Sequence, residues 1–135
     1  MRFSGRRAPL HPGGVPNLPD AVTREAYSHE VSSAGFWPGD FRTPFPAFYS
    51  DPYPAPKGFA AATVAPRDAA FDSALGQFLL PYEVVRTSAD PEATLMSFLA
   101  TTYARAAALG DWDRGSLEAP LGEPLKPRPL KPVGD

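Results

Sequence analysis

The chain has 135 residues, a net charge of −2 and no cysteine. This length suits one domain with a single hydrophobic core. The lack of cysteine excludes a disulfide framework, a thiolate nucleophile and a cysteine-based zinc site. The net charge of −2 indicates neither a nucleic-acid-binding surface nor an acidic one. No run of about 18 apolar residues exists that would span a membrane, and no apolar signal segment follows the basic start at residues 2–7. The sequence therefore favours a cytoplasmic protein without a membrane or nucleic-acid partner.

The start of the chain has few signals for regular structure. Residues 2–5 have the pattern of the end of a strand, and residues 6–19 are rich in proline and glycine, which predicts a loop. A proline followed by Asp20 then begins a short helix that extends to about Tyr27, because an early proline and an acid in the first turn favour a helix N-terminus.

Two strands are predicted next. Within residues 29–36, one set of side chains alternates with another, which indicates a strand: Val31, Ser33 and Gly35 alternate with Glu30, Ser32 and Ala34. Residues 47–53 form a second strand that we expect to pair antiparallel with the first across a hairpin-like connection. Two adjacent strands are only marginally stable by themselves, so we expect further strands or a helix to pack against them.

The middle of the chain predicts three short elements. Residues 67–75 have a helical composition, with Gly76 as the terminator of that helix. Residues 77–80 form a short apolar strand that ends at a proline, and residues 82–86 favour a turn of helix.

The strongest element is a long helix. Asp90 is a favourable N-cap, Pro91 suits the first helical position, and Gly110 ends the helix. Apolar residues recur at spacings of three and four and so form one stripe along it, which predicts a core helix: Leu95, Phe98, Leu99, Thr102, Tyr103, Ala106 and Leu109.

These elements predict an α+β fold. A small antiparallel sheet from residues 2–5, 29–36 and 47–53 packs against two or three helices within a domain of residues 1–118. Residues 119–135 are proline-rich and lack aromatic side chains, which predicts a disordered tail. Its segment Lys126–Pro132 has the basic-x-x-P-x-x-P pattern that SH3-type grooves bind, but such a match arises easily by chance in so proline-rich a tail.

Four residues are candidates for metal binding or acid–base catalysis: His11, Glu25, His29 and Glu30. If the helix continues past Tyr27, Glu25 and His29 share one of its faces, as helix-borne metal ligands do. If the strand has already begun, His29 and Glu30 point to opposite faces and do not bind one ion together. The same spacing also gives an ordinary helix-surface pair, and this structural reading is the more common one.

Aromatic residues are concentrated in the middle of the chain, at positions 36, 37, 41, 45, 48, 49, 53 and 59. Phe36, Trp37 and Tyr49 are candidates for the lining of a ligand pocket. Arg42 and Lys57 are too few basic residues for a surface that stacks bases. Most of these rings are expected to be core, or a face covered by a partner.

Several segments together resemble an uncharacterised bacterial family that is known only as a domain of unknown function. The segments are R-F-S-G-R (2–6), H-P-G-G (11–14), E-A-Y-S-H-E-V-S-S-A-G-F-W-P-G (25–39), A-F-Y-S (47–50), A-L-G-Q-F-L-L-P-Y-E-V-V-R (74–86) and S-F-L-A-T-T-Y (97–103). The resemblance covers roughly residues 2–118 and is most specific in the signature run, residues 25–39. The resembling segments belong to the C-terminal half of the family's proteins. The resemblance therefore implies that this chain is an N-terminally truncated member. The chain departs from the family at residues 40–44, at Asp51 and in its tail.

The resemblance brings no activity, so three functional hypotheses stay open. The first is the C-terminal part of an uncharacterised protein without an activity of its own. The second is a metal-dependent or acid–base hydrolase centred on Glu25, His29 and Glu30, for which a divalent metal would be the cofactor. The third is a non-catalytic ligand-binding or interaction module that uses the aromatic surface, which a missing N-terminal half or a partner would otherwise cover.

Overall fold

Four antiparallel strands form one sheet in the computed structural model, which describes residues 20–26, 29–118 and 125–127. The strand order is β1-β2-β4-β3, with bounds β1 Val31–Trp37, β2 Ala47–Tyr53, β3 Ala70–Asp72 and β4 Gln77–Pro81. The helices are α1 Ala21–Ala26, α2 Tyr82–Thr87, α3 Pro91–Leu109 and α4 Arg114–Leu117, and a 3-10 turn spans Phe59–Ala61. The predicted α+β class is confirmed.

The pairing of the strands gives the sheet two distinct faces. Ser33 lies opposite Asp51 and Gly35 opposite Tyr49, and Tyr49 in turn lies opposite Leu79. Directly opposed residues point to the same side of an antiparallel sheet. The odd-numbered residues of β1, β2 and β4 therefore share one side, which we call the open face, and the even-numbered residues share the other, which we call the helix face. The expected antiparallel pairing of the first two strands is confirmed.

The helix face carries the hydrophobic core. Its buried members come from β4, α2, α3 and the 3-10 turn, and are Phe59, Phe78, Leu80, Val85, Phe98 and Ala106. Phe98 and Leu80 are completely buried. A hydrogen bond of 2.8 Å joins the buried hydroxyls of Thr102 in α3 and Ser50 in β2. These two polar groups therefore have hydrogen-bond partners within the apolar interface.

Helix α3 forms as its sequence predicts. The Asp90 side chain accepts a hydrogen bond from the backbone N–H of Ala93 at 3.0 Å, Pro91 opens the helix, and Gly110 follows its last residue. The predicted stripe is buried at its centre, but Leu109 at its end is 44% exposed. Ala107 is buried there instead.

The predicted helix over residues 67–75 is wrong. This segment contains β3 and the turn that joins it to β4. The Asp72 carboxylate accepts hydrogen bonds from the backbone N–H groups of Ala74 and Leu75, both at 3.0 Å, and so stabilises a turn in place of a helix. Gly76 has φ +71° and donates its N–H to the Asp72 carbonyl at 2.8 Å, so it closes a hairpin and does not end a helix.

The other local predictions fall into two groups. The short helix after Asp20, the strand at residues 77–80 and the helical turn at residues 82–86 are confirmed as α1, β4 and α2. The predicted strand at residues 2–5, the loop at 6–19 and most of the tail at 119–135 lie outside the described residues. In the part of the chain that is described, no helix combines the length and the apolar character that crossing a membrane requires.

Candidate functional site

The open face differs from the helix face because a glycine lets one aromatic ring lie across it. Gly35 in β1 faces Tyr49 in β2, and a Cβ atom at Gly35 would lie only 2.6 Å from the Tyr49 hydroxyl oxygen. Any larger residue would displace the ring. Gly35 therefore leaves the room that the Tyr49 ring needs to lie over the first strand.

The connection between β1 and β2 closes one end of the open face. Gly39 has φ +99°, and a Cβ there would lie 3.0 Å from the carbonyl oxygens of Thr43 and Phe45. The Asp40 carboxylate accepts hydrogen bonds from the backbone N–H groups of Arg42 at 2.8 Å and Thr43 at 2.9 Å. Thr43 is almost completely buried by this arrangement. The connection is thus a folded wall held by its own hydrogen bonds.

Between this wall and the strands lies a cavity of about 370 Å³, which we call the open-face cleft. Trp37 and Tyr49 supply aromatic walls, and Leu75 and Leu79 supply aliphatic ones. The polar lining comes from Ser33, Asp40, Thr43, Asp51 and Gln77. Small-molecule sites usually combine apolar and aromatic walls with placed polar groups, and the open-face cleft has both, with the polar residues slightly in the majority.

Asp51 is the chemically distinctive residue of the open-face cleft. Its Oδ1 accepts a hydrogen bond from Gln77 Nε2 at 3.2 Å and a longer one from Ser33 Oγ at 3.4 Å. Desolvation by burial raises the pKa of this carboxyl and outweighs the lowering effect of those two donors. Its Oδ2 accepts no hydrogen bond from the described residues. One carboxylate oxygen is therefore left to bind a ligand.

The open-face cleft has an acidic character. Asp40 and Asp51 both line it, whereas no lysine, arginine or histidine belongs to the described lining. Asp40 uses its Oδ1 to hold the loop, so Asp51 is the carboxylate better placed to act on a ligand. The lining thus presents two carboxylates without a compensating basic side chain.

The residues expected to bind metal or to catalyse a reaction are placed elsewhere. Glu30 is half-buried, and its Oε2 accepts a hydrogen bond from Trp112 Nε1 at 2.8 Å, which ties the start of β1 to the segment after α3. His29 is exposed and lies in an isolated β-bridge, so it is not on the helix that carries Glu25 and ends at Ala26. The helical arrangement that would align Glu25 with His29 is therefore not formed.

A metal site at these residues stays a prediction. His11 lies outside the described residues, and the side chain of Glu25 is not among those described. In residues 20–26, 29–118 and 125–127, no three His, Asp or Glu side chains come together as metal ligands.

The three aromatic pocket candidates do not all lie on the same face of the sheet. Trp37 and Tyr49 both line the open-face cleft. Phe36 is on the helix face, where its ring packs against Phe48 and Tyr82 at centroid distances of 5.4 Å and 6.0 Å. A second cavity of about 400 Å³, lined largely by alanines of the 60–70 segment together with Arg67 and Phe71, contains none of the candidate residues.

The sequence reasoning missed Ser33, Asp51 and Gln77 as site residues. Ser33 and Trp37 have the same parity in β1, and Tyr49 and Asp51 have the same parity in β2, so strand alternation pairs them on single faces. Bringing the two sets to the same face depends on the register between the strands, and placing Gln77 beside Asp51 depends on the pairing of β2 with β4.

One comparison with known proteins gives a match. The model of the Family of unknown function (DUF5996) matches residues 1–119. The chain belongs to this family. The match contains every lining residue of the open-face cleft and agrees with the expected domain of unknown function. No curated protein and no solved structure matches the chain. The DUF5996 family has no established function, so the functional argument rests on the cleft.

Proposed function

We propose that the chain is a ligand-binding module that takes a small organic molecule into the open-face cleft. The observation that carries the proposal is Asp51, a half-buried carboxylate at the cavity with its Oδ2 unused by the described residues. Partial burial of a carboxylate without a cationic partner works against folding stability. Such groups are more frequent at ligand sites than elsewhere in a protein, because a ligand can satisfy them.

The size and walls of the open-face cleft support the same proposal. A volume of about 370 Å³ lies in the range of about 300–1,000 Å³ typical of small-molecule sites. Trp37 and Tyr49 offer ring surface, while Asp51 and Gln77 offer an acceptor and a donor that would orient the molecule. This arrangement develops the third hypothesis from the sequence, the non-catalytic binding module.

The hydrolase hypothesis at Glu25, His29 and Glu30 stays a prediction. It is supported by residue spacing, whereas the Glu30 carboxylate has a structural partner in Trp112. The cytoplasmic location, the missing N-terminal half, the boundary at residue 118 and a partner over the aromatic surface likewise stay predictions from the sequence.

Ligand-observed NMR with a library of small polar molecules tests the proposed function. Ser33→Leu would fill the open-face cleft and remove one donor to Asp51. Ser32→Leu is the matched control, because Ser32 is the next residue along β1 and is exposed on the opposite face. We expect molecules that bind the wild-type chain to be lost with Ser33→Leu and retained with Ser32→Leu. Binding that is indifferent to Ser33→Leu, or an absence of any binding, would contradict the proposal.

A further inference from the structure

We propose that the ligand of the open-face cleft is an organic cation of the alkylammonium class, held against the Trp37 and Tyr49 rings with its charge on Asp51. This inference rests on the proposed function and adds the chemistry of the ligand.

The first argument is charge. Asp40 and Asp51 line the open-face cleft, and its described lining holds no basic side chain. An anionic ligand would be repelled by both carboxylates, and a neutral ligand would shield them from water without compensating their charge. A cation removes both difficulties, because its attraction to a carboxylate is stronger in a partly buried site than in bulk water.

The second argument is the placement of Asp51 within the site. Gln77 and Ser33 both donate to its Oδ1 and so hold the carboxylate in one orientation. Asp40, in contrast, is turned to the backbone N–H groups of its own loop. Asp51 is thus a pre-oriented charge whose Oδ2 is available to a ligand.

The third argument is the aromatic walls. A cation near the face of a tryptophan or tyrosine ring is attracted by the ring quadrupole at distances up to about 6 Å, and tryptophan is the most favourable ring. Trp37 and Tyr49 both line the open-face cleft, and Gly35 leaves room for the tyrosine ring over the first strand. The alkyl groups of the cation would contact Leu75 and Leu79, which are also part of the lining.

A metal ion fits the same cleft less well. Divalent ions need several oxygen or nitrogen ligands around one point, and the described residues contain no cluster of three potential ligand side chains. An alkylammonium ion needs one carboxylate and ring surface, and the open-face cleft offers both.

Isothermal titration calorimetry with choline and its neutral isostere 3,3-dimethylbutan-1-ol, at constant ionic strength, tests this inference. The two molecules have nearly the same shape and differ in charge. Asp51→Asn keeps the side-chain shape and removes the charge. Asp68→Asn removes the same charge from an exposed turn and serves as the matched control.

We expect choline to bind the wild-type chain about tenfold more tightly than the neutral isostere, since ion pairing with a partly buried carboxylate and cation–π contacts each contribute on that scale. Asp51→Asn should abolish this preference, and Asp68→Asn should preserve it. Trp37→Leu removes the ring most favourable for cation–π contact and should weaken the binding of choline more than the binding of the isostere. The inference therefore does not depend on Asp51→Asn alone.

The contradicting outcomes separate the two proposals. Equal binding of choline and the isostere, with both lost on Ser33→Leu, would overturn the cation inference and leave the proposed function in place. Binding of neutral library molecules in the cleft without choline would do the same. If no molecule binds in a manner sensitive to Ser33→Leu, both proposals are wrong.

Discussion

The two faces of the sheet are built on different physical principles. The helix face pairs β2 and β4 with α3 through a buried cluster around Phe98 and Leu80, and among the described residues no buried side-chain polar atom on either face lacks a hydrogen-bond partner. The open face has Trp37 43% exposed at its edge and a half-buried carboxylate, Asp51, whose Oδ2 accepts no hydrogen bond from the residues that the structure describes.

This difference indicates a division of roles within one small sheet. Substitutions on the helix face should change the free energy of unfolding and leave the chemistry of the cleft intact. Substitutions on the open face should change ligand binding more than stability. The following substitutions test this division.

Phe98→Ala should cause the largest loss of stability. Phe98 is completely buried in α3 against the sheet, and truncation of such a ring costs about 3–5 kcal/mol because it leaves a cavity. Urea denaturation measures this loss. Met96→Ala, on the exposed side of the same helix, is the control and should stay within about 0.5 kcal/mol of the wild type. Similar losses for both variants would show that α3 does not pack as described.

Thr102→Val should lower the free energy of unfolding by about 1–3 kcal/mol, since it removes the hydrogen-bond partner of the buried Ser50 hydroxyl. The side-chain volume hardly changes, so the loss reports the hydrogen bonds of the Thr102 hydroxyl, which also contacts the Phe98 carbonyl oxygen at 2.8 Å. Ser50→Ala in the same chain should recover part of the loss, because it removes the group left without a partner. Urea denaturation of the single and double variants measures the coupling. Additive losses would contradict a direct bond between the two hydroxyls.

Gly35→Ala should affect the cleft more than the fold. The new methyl group would lie 2.6 Å from the Tyr49 hydroxyl oxygen, and the ring end can swing away at a cost of about 1 kcal/mol. That movement displaces one wall of the open-face cleft, so choline affinity should fall at least about fivefold while the chain stays folded. Gly115→Ala in α4 is the control, because its nearest neighbour would be 3.5 Å away. Unchanged choline affinity would exclude Tyr49 from the site.

Asp51→Asn should give the smallest change in stability, and one that depends on pH. The pKa of Asp51 is raised above its ordinary value of 3.8 by desolvation, so the folded chain binds this proton more tightly than the unfolded chain. Stability contributed by Asp51 is therefore present below pH 3.8 and is lost as the pH rises through the folded-state pKa. At pH 7 the asparagine variant should be more stable than the wild type by about a few tenths of a kcal/mol, since solvent screens a half-exposed group.

Urea denaturation at pH 7 and near pH 3 measures this difference. The advantage of the asparagine variant should vanish at the lower pH. An advantage of equal size at both pH values would show that burial of the charge is not its cause.

Local sequence signals predicted the elements that local interactions stabilise. Asp90 and Pro91 fix the start of α3, and alternation over β1 reflects the two faces of the sheet. The helix predicted over residues 67–75 failed because a single side chain, Asp72, binds two backbone N–H groups and turns the chain. Composition does not reveal that competition between a turn and a helix.

The candidate site was less predictable than the fold. Trp37 and Tyr49 were singled out for their rings, and the structure places both on one cavity. Asp51 is a candidate site residue because its carboxylate is half-buried and is held by Gln77, which is 26 residues away in the sequence. Such a contact follows from the order of strands in the sheet, and periodicity within one strand carries no information about it.

A crystal structure of the wild-type chain with choline would locate the bound cation. We expect the quaternary nitrogen to lie in the open-face cleft, within about 6 Å of the Trp37 and Tyr49 ring centroids and facing Asp51 Oδ2. Choline bound on the helix face or elsewhere on the surface, with the open-face cleft empty, would contradict the account.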